Sequence, residues 1–283
     1  FLLFYNRKEA SQSSFQNSTF VKLNQNLTVD FTFSDGDNIS VMDVKELSNG
    51  DFLVGANAFD GNINDLSNIR GRLYRLDSNG TIIWQQDYDL SLGTHLYGIN
   101  RVVELSDGNI IFDIGWLDSA GYNYVYKVNS SGTLIWRQSI GPVMDIYASS
   151  DKIYFLHASQ GVKIYDYDGN SEGEISISVL TGGNGGPQGS FYITQSNDII
   201  VTGAGSGADF GKYNKIGVAL INSTGSLAWE KTYTVINRDN NYSRAMNAVE
   251  TLDGNLLIAI YTKDFVHGGV IKIDASDGTK LLP

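Results

Sequence analysis

The sequence predicts an all-β protein that is built from repeated units of four strands. Two short phrases recur along the chain, an alternating strand with a Gly-containing turn at 102–111 and a strand–turn–strand that ends in Trp at 126–136. Only three prolines interrupt the 283 residues, and no segment shows helical periodicity over more than a turn or two. Four-stranded units repeated along one chain are the blades of a β-propeller, and we expect this fold.

Further copies of the two phrases define the unit. They recur at 44–54 with 73–84 and at 248–258 with 270–282, and a looser copy spans 192–201 with 218–229. Strand A alternates between apolar and polar residues, and a tight turn with Gly and Asn or Asp leads to the more apolar strand B. A polar loop connects strand B to strand C, and a second turn connects strand C to strand D.

One apolar position near the start of strand D recurs six times. The sequence alignment places these residues there: Phe31, Trp84, Trp136, Ile177, Trp229 and Leu282. Because large aromatic side chains contribute most when they are buried between packed elements, we expect the three tryptophans to pack between neighbouring sheets and not to bind a ligand.

The two ends of the chain determine the predicted number of blades. Residues 1–31 align with 52–84, which corresponds to strands B, C and D without strand A. Residues 280–283 form only a stub of strand D. Six C–D hairpins against five A strands indicate six blades, one of them incomplete; five blades sealed by the N-terminal strand D are the alternative. We expect an N-terminal strand and linker over residues 1–14 that is related to assembly, and a single propeller domain over 15–283.

Composition excludes several classes of function. The net charge is −11 and no basic cluster occurs, which argues against a nucleic-acid partner. The absence of cysteine excludes disulfides, thiolate chemistry and cysteine-bound zinc. The apolar residues 1–5 are too few to span a bilayer. They are interpreted as the remnant of a lost membrane anchor, a strand of the first repeat, or a strand donated to a neighbouring molecule; membrane contact is expected only through such an anchor.

Two loops resemble ligand sites in part. Residues 166–172 alternate oxygen-bearing side chains as a calcium loop does, but they fall on a C–D turn and are interpreted as a hairpin. The Gly-rich segment 203–212 follows a strand as a phosphate loop would, yet it opens no helix and has Tyr213 where Ser or Thr would bind magnesium. Residues 181–187 are interpreted as a connection between blades.

Candidate acid–base groups are scattered through the repeats. The three histidines, of which His157 lies in an apolar strand, show no metal-ligand spacing. The carboxylates of Asp43, Asp113 and Asp145 could meet at a central channel, so a glycosidase-type site is an open alternative. We expect no catalytic residue, no metal ligand and no cofactor-binding residue.

Seven Asn-x-Ser/Thr sequences are candidate acceptors for N-linked glycans. They begin at Asn17, Asn26, Asn38, Asn79, Asn129, Asn222 and Asn241. Four of the seven fall in predicted C–D turns, which themselves favour Asn, Ser and Thr. We favour glycosylation, with turn chemistry as the alternative explanation.

The phrases at 225–233 and 248–257 carry a Gly-x-x-x-Trp and an Asp-Gly-Asn sequence. In these residues the chain resembles the PQQ-like propeller repeats of secreted archaeal and bacterial surface proteins, and the resemblance covers nearly the whole chain. It implies a propeller fold and leaves function open, since related propellers serve as enzymes, assembly scaffolds and surface modules. Quinoprotein dehydrogenases commonly add a vicinal cysteine pair, which this chain lacks, so we expect no quinone cofactor.

These observations together favour a non-enzymatic, glycosylated, extracellular propeller with a structural or adhesive role at the cell surface. Unpaired strand edges at an incomplete blade are natural sites for strand addition. We therefore expect a homo-oligomer, a filament or a coat, or a complex with other surface proteins, with the following N-terminal residues as assembly candidates: Phe1, Leu2, Leu3, Phe4 and Tyr5. A secreted carbohydrate-binding or carbohydrate-active propeller is the alternative.

Overall fold

A computed structural model shows the predicted all-β architecture. It describes residues 2–7, 16–35, 39–59, 69–88, 97–116, 124–157, 161–180, 189–204, 215–234, 243–262 and 268–282. These stretches form 23 β-strands joined by turns. No helix within them is long and apolar enough to cross a membrane.

The chain divides into two compact units, and unit 1 comprises Phe1–Pro142 with Ala148–Asp151. It contains three antiparallel sheets, numbered in chain order. Sheet 1 consists of β1 (Leu2–Arg7), β2 (Gln16–Leu23) and β3 (Val29–Phe33). Sheet 2 consists of β4 (Ile39–Glu46), β5 (Phe52–Phe59), β6 (Ile69–Leu76) and β7 (Ile82–Tyr88). Sheet 3 consists of β8 (Tyr97–Glu104), β9 (Ile110–Trp116), β10 (Tyr124–Val128) and β11 (Leu134–Ser139).

Unit 2 comprises Val143–Tyr147 with Lys152–Pro283, and it also contains three sheets. Sheet 4 consists of β12 (Val143–Ala148), β13 (Lys152–His157), β14 (Gly161–Asp166) and β15 (Ser171–Ser176). Sheet 5 consists of β16 (Ser190–Ile193), β17 (Ile199–Ala204), β18 (Lys215–Ile221) and β19 (Leu227–Thr234). Sheet 6 consists of β20 (Ser243–Glu250), β21 (Leu256–Thr262), β22 (Gly268–Ile273) and β23 (Lys280–Leu282).

Strand order confirms the repeat that the sequence predicts. Each sheet pairs its strands in chain order, so that five sheets have strands A to D and sheet 1 has three strands. The strands β1, β2 and β3 correspond to B, C and D, since β1 pairs with β2 as β5 pairs with β6. The last strand, β23, is three residues long. The stretches of chain that the structure describes thus form six sheets, one of them without strand A.

One predicted equivalence is wrong. The strand-C residue before the bulge pairs with Phe31, Trp84, Trp136, Trp229 and Leu282 in five sheets. In sheet 4 the corresponding residue, Ile164, pairs with Gly173, which lies four residues before Ile177. Ile177 instead corresponds to Tyr88 and Tyr233. The apolar character of Ile177 shifted the sequence alignment, because a glycine stands where the other sheets have a large side chain.

Strand-D aromatic side chains join neighbouring sheets within each unit. In unit 1, the indole N–H of Trp84 donates to the carbonyl of Ser130 (3.0 Å) in the next C–D turn. In unit 2, the indole N–H of Trp229 donates to the carbonyl of Ala275 (2.9 Å). Tyr88, four residues after Trp84, donates its hydroxyl to the carbonyl of Gly132 (2.6 Å). The predicted packing role is therefore confirmed for Trp84 and Trp229.

Each unit has its own buried core between sheets. In unit 1, Leu53, Leu73 and Phe112 of sheets 2 and 3 are inaccessible to solvent. In unit 2, Ile200, Leu256 and Ile258 and their neighbours form the equivalent cluster between sheets 5 and 6. These residues come mainly from strands B and C, which explains why strand B is the most apolar strand of the unit.

Candidate functional site

The structure leaves one edge of β1 unpaired. Strand β1 pairs with β2 from Leu2 opposite Lys22 to Arg7 opposite Gln16, and within the described residues it pairs with no second strand. Strand β5, at the same place in sheet 2, lies between β4 and β6. We call the unpaired side of β1 the open edge. An unpaired row of backbone N–H and C=O groups is a template for another strand.

The open edge contains most of the predicted assembly residues. Leu2, Leu3, Phe4 and Tyr5 lie in β1. Phe1 lies outside the described residues. Of the three interpretations of this segment, a strand of the first repeat agrees with the pairing of β1 in sheet 1.

Sheet 1 packs on sheet 2 although it lacks strand A. The buried ring of Phe20 contacts Phe31, Phe33 and Phe52, with ring centroids 5.5 to 6.2 Å apart. The ammonium of Lys22 lies 2.9 Å from Oε2 of Glu46 at the end of β4. Aromatic burial of this kind contributes several kcal/mol, on the order of that lost in Phe→Ala changes. The open edge therefore belongs to a packed sheet.

A buried ionic network also holds the segment that follows β3. The guanidinium of Arg72 donates from Nη1 to Asp35 (3.1 Å) and from Nη2 to Asp87 (3.0 Å), and its side chain is only 8% exposed. The hydroxyl of Tyr74 donates to the same Asp35 carboxylate. The repeats give no indication of this network, because its members come from different turns and strands.

Two of the three candidate carboxylates lie close enough to influence each other. Burial raises the pKa of Asp113 to about 7, the bonds from Asn100 and the charge of Arg101 oppose this shift, and the charge of Asp43 adds to it. Both oxygens of Asp113 accept hydrogen bonds, from the Asn100 amide (3.0 Å) and the Arg101 N–H (2.9 Å). The side chain is inaccessible to solvent. Asp113 therefore stabilises β8 through these two hydrogen bonds.

The other carboxylates bridge neighbouring A strands. Oδ2 of Asp43 accepts from the backbone N–H of Val102 (3.0 Å) in unit 1. Oδ2 of Asp145 accepts from the N–H of Phe191 (2.8 Å) in unit 2. A carboxylate that accepts a backbone N–H from the next sheet holds strand A in place. The structure gives Asp43 and Asp145 the same role, each within its own unit.

The four glycosylation candidates in C–D turns fall into two groups according to their position in the turn. Every such turn begins with an Asn or Asp whose Oδ1 accepts the backbone N–H two residues later. Asn129 and Asn222 occupy this first position, are half-buried, and also accept the hydroxyl of the Ser or Thr of their own acceptor sequence, at 2.7 Å in both cases. Turn chemistry explains these two residues, because Asp77 and Asp166 serve the same purpose.

Asn26 and Asn79 occupy the third position of their turns, and both are exposed. The turn uses only their backbone N–H, which donates to Oδ1 of Asn24 and Asp77 respectively, at 2.9 Å in each case. The hydrogen bonds of these turns do not involve the side-chain amides of Asn26 and Asn79. The backbone of Asn17 lies in β2, and Asn38 and Asn241 lie outside the described residues.

The remaining candidates have structural positions. Residues 166–170 form a hairpin turn, with Oδ1 of Asp166 accepting from Asp168 and Asn170, as the sequence predicts. His157 is buried in β13. His95, His267 and most of the two Gly-rich loops (181–188 and 205–214) lie outside the described residues. Among the described residues, no three His, Cys, Asp or Glu side chains are close enough to hold a metal ion.

A repeated glutamate at the end of strand A was not among the predicted residues. Glu46, Glu104 and Glu250 end β4, β8 and β20, and each bonds to the preceding sheet of its own unit. The recurrence was visible in the aligned phrases at 44–54, 102–111 and 248–258. Its meaning depends on contacts between sheets, which the repeat pattern does not show.

No protein-family model matches the sequence, and no curated protein matches it. Solved structures match over almost the whole chain. A protein of unknown function from Bacteroides caccae is 12% identical with a TM-score of 0.56, and the match covers 99% of this chain and 91% of that one. BamB from Moraxella catarrhalis is 12% identical with a TM-score of 0.58, covering 96% and 71%.

A structure of BBS1N in complex with ARL6DN is also similar, with 12% identity, a TM-score of 0.56, and coverage of 93% of this chain and 74% of that one. At these identities the similarity shows the fold. The fold is a β-propeller, and its described residues form six blades, five of four strands and one of three, as the sequence predicts.

Proposed function

We propose that this chain is a non-enzymatic, N-glycosylated, extracellular propeller that assembles with copies of itself into a filament or coat, by strand addition at the open edge of β1. The observation that carries the proposal is the three-stranded sheet 1, in which β1 has one paired neighbour among the described residues. Added strands gain affinity from main-chain hydrogen bonds and specificity from alternate side chains.

The packing of sheet 1 supports this proposal. Because Phe20 and the Arg72 network already fix β2 and the end of β3, an incoming strand meets a preformed edge and its binding does not have to order the sheet. Six residues of β1 offer a backbone template as long as β12 or β22. Preorganisation of this kind favours association.

The comparisons agree with a role in protein complexes. One similar structure has a title that names BBS1N in complex with ARL6DN, so a propeller of this kind can bind a protein partner. The resemblance to PQQ-like repeats of secreted surface proteins supports the extracellular assignment. We assign no catalytic role to Asp113, because both oxygens of this buried carboxyl group accept hydrogen bonds from β8.

Deletion of residues 1–14 tests whether assembly depends on β1, because it removes the strand whose free side is the open edge. We expect the full chain to form concentration-dependent oligomers in size-exclusion chromatography with light scattering and to form ordered particles in electron micrographs. The deletion variant should be monomeric and retain β-type circular dichroism. As a matched control, a Gly/Ser replacement of residues 8–14 retains β1 and should assemble like the full chain. A monomeric full chain, or a deletion variant that assembles like the full chain, would contradict strand addition at β1.

Glycan mapping tests the extracellular assignment separately. In a glycosylating secretory host, we expect high occupancy at the exposed Asn26 and Asn79 and low occupancy at Asn129 and Asn222, whose side chains are engaged in their turns. Peptide mass spectrometry after deglycosylation measures each site. Thr28→Ala and Thr81→Ala remove the acceptor sequences without changing either Asn. A secreted chain with the mass of the bare 31.0 kDa polypeptide would contradict the assignment.

A further inference from the structure

The A–B turns of sheets 2 and 5 are each bonded by a glutamate from the strand A that follows in the same unit. In unit 1, the backbone N–H and the hydroxyl of Ser48 both donate to Oε2 of Glu104, at 3.2 and 3.3 Å. In unit 2, the backbone N–H of Gln195 donates to Oε2 of Glu250, at 2.8 Å. The second residue of the A–B turn is therefore a binding point for glutamate in two copies of the repeat.

The A–B turn of sheet 6, residues 251–255, has the same backbone geometry. The N–H of Thr251 donates to the carbonyl of Asn255 (2.8 Å), and that of Gly254 donates to the carbonyl of Thr251 (2.9 Å). The turn at 47–51 has the same two bonds with the same lengths. At the position of Ser48 and Gln195 stands Leu252, which is fully exposed. Within the described part of the chain, no acceptor bonds to the N–H of Leu252.

The surroundings of this turn can accept a carboxylate. A groove of about 530 Å³ adjoins it and is lined by Gln195, Glu250, Thr251, Leu252, Asp253 and Lys272. The hydrogen bond from Lys272 holds the pKa of Asp253 well below its usual range, so the two form an ion pair at neutral pH. The turn at 47–51 also has an acidic–basic pair, Asp51 with Arg75, in which the aspartate is the fifth residue of the turn and not the third. A glutamate thus meets one acidic and one basic side chain at both turns.

We propose that the A–B turn of sheet 6 binds the glutamate that ends an extended peptide strand, through the N–H of Leu252. The occupant is a partner strand with the chemistry of β8 and β20, in which apolar and polar residues lead to a final Val-Glu. Two equivalent turns of this chain already hold strands of this type. The inference goes beyond the proposed function, which concerns β1 in sheet 1.

A peptide with the sequence of residues 97–105, blocked at both ends, tests this site on the full chain. Titration followed by amide NMR should shift the resonance of Leu252 and its neighbours. The matched control peptide has Gln in place of Glu104. Since hydrogen bonds to a charged group are worth about 1.5–3 kcal/mol, the control should bind about ten- to a hundredfold more weakly. An unshifted Leu252 resonance, or equal binding of the two peptides, would overturn the proposal.

Substitution of Leu252 locates the contact. Leu252→Pro removes the donor N–H at the second position of the turn, where proline is favoured, and should weaken binding about tenfold or more. Leu252→Ser retains the N–H and reproduces Ser48, so it should bind as the wild type does. Unchanged binding by Leu252→Pro refutes the site. If that variant fails to fold, the two peptides on the wild type decide the question. Deletion of 1–14 leaves this turn intact, so the two proposals can fail independently.

Discussion

Sheets 1 and 2 are built from the same repeat, but among the residues that the structure describes only sheet 2 has strand A. Both have a C–D hairpin, and the ring of Phe31 in sheet 1 covers Gly80 of sheet 2 just as Trp84 of sheet 2 covers Gly132 of sheet 3. In sheet 2, strand A adds backbone pairing to β5 and a carboxylate, Asp43, that bonds to sheet 3. The comparison indicates that strands B to D suffice to pack one sheet on the next, and that strand A completes the other edge.

The largest effect is expected from loss of the Arg72 network, which holds the segment after β3 in a sheet that lacks strand A. Arg72→Ala removes a nearly buried guanidinium from Asp35 and Asp87. Asp35 loses this counter-charge, whereas Asp87 retains Arg70 at 3.4 Å. Breaking a buried ion pair in this way costs about 3–5 kcal/mol. We expect the free energy of unfolding in urea to fall by that amount, with β1 to β3 the first strands to lose amide protection from hydrogen exchange.

Arg75→Ala is the matched control, since Arg75 lies on the same strand, pairs with Asp51, and has a side chain that is 17% exposed against 8% for Arg72. Its loss should cost under about 2 kcal/mol, because water screens and replaces part of the interaction. Equal losses for the two variants would show that the Arg72 network does not have a special role in holding sheet 1.

The second prediction concerns Asp113, the buried carboxyl group in strand B of sheet 3, next to the strand A residue Asp43 of sheet 2. The pKa of Asp113 is about 7 in the fold, above the value of about 3.9 expected in the unfolded chain. The folded state therefore binds the extra proton between about pH 4 and pH 7, and stability falls as pH rises through that window. At about 1.4 kcal/mol for each pKa unit, the free energy of unfolding should fall by about 2 kcal/mol between about pH 5 and pH 7.

Asp113→Asn should remove this part of the pH dependence, because the amide oxygen still accepts the Arg101 N–H and no longer titrates. Asp107→Asn is the control. Burial raises the pKa of Asp107, but bonds from Asn109 and the charge of Lys127 outweigh it, so that the pKa is lowered and titration occurs below the window. Chemical denaturation at several pH values measures both. If the stability of the wild type rises between about pH 5 and pH 7, and Asp113→Asn removes that rise, the raised pKa of Asp113 is contradicted.

What the sequence predicts correctly is local. The turns depend on Asn, Asp and Gly at fixed positions, and the strands depend on alternation, so both are visible in the repeated phrases. The mismatch at the N-terminus, three strands in place of four, follows from the same alignment. The contacts of Arg72 and Glu104 could not be predicted, because they join residues 15 to 56 positions apart, and the repeat does not specify which side chains meet. Ile177 was misplaced because Gly173 interrupts the apolar pattern.

The smallest predicted effect concerns the turn in which sheet 1 departs from sheet 2. Leu27 has a φ of 61° at the position where the other five C–D turns have Gly, such as Gly80. A left-handed conformation costs an L-residue about 1–2 kcal/mol, and Leu27 is 65% exposed, so its side chain returns little by burial. Glycine loses more entropy on folding, which offsets about half of the gain. We expect Leu27→Gly to raise the free energy of unfolding by about 0.5–1 kcal/mol, measured in urea. Leu27→Ala keeps the strained conformation and should give no gain, so an equal gain from both variants would show that the exposed side chain, and not the backbone, is responsible.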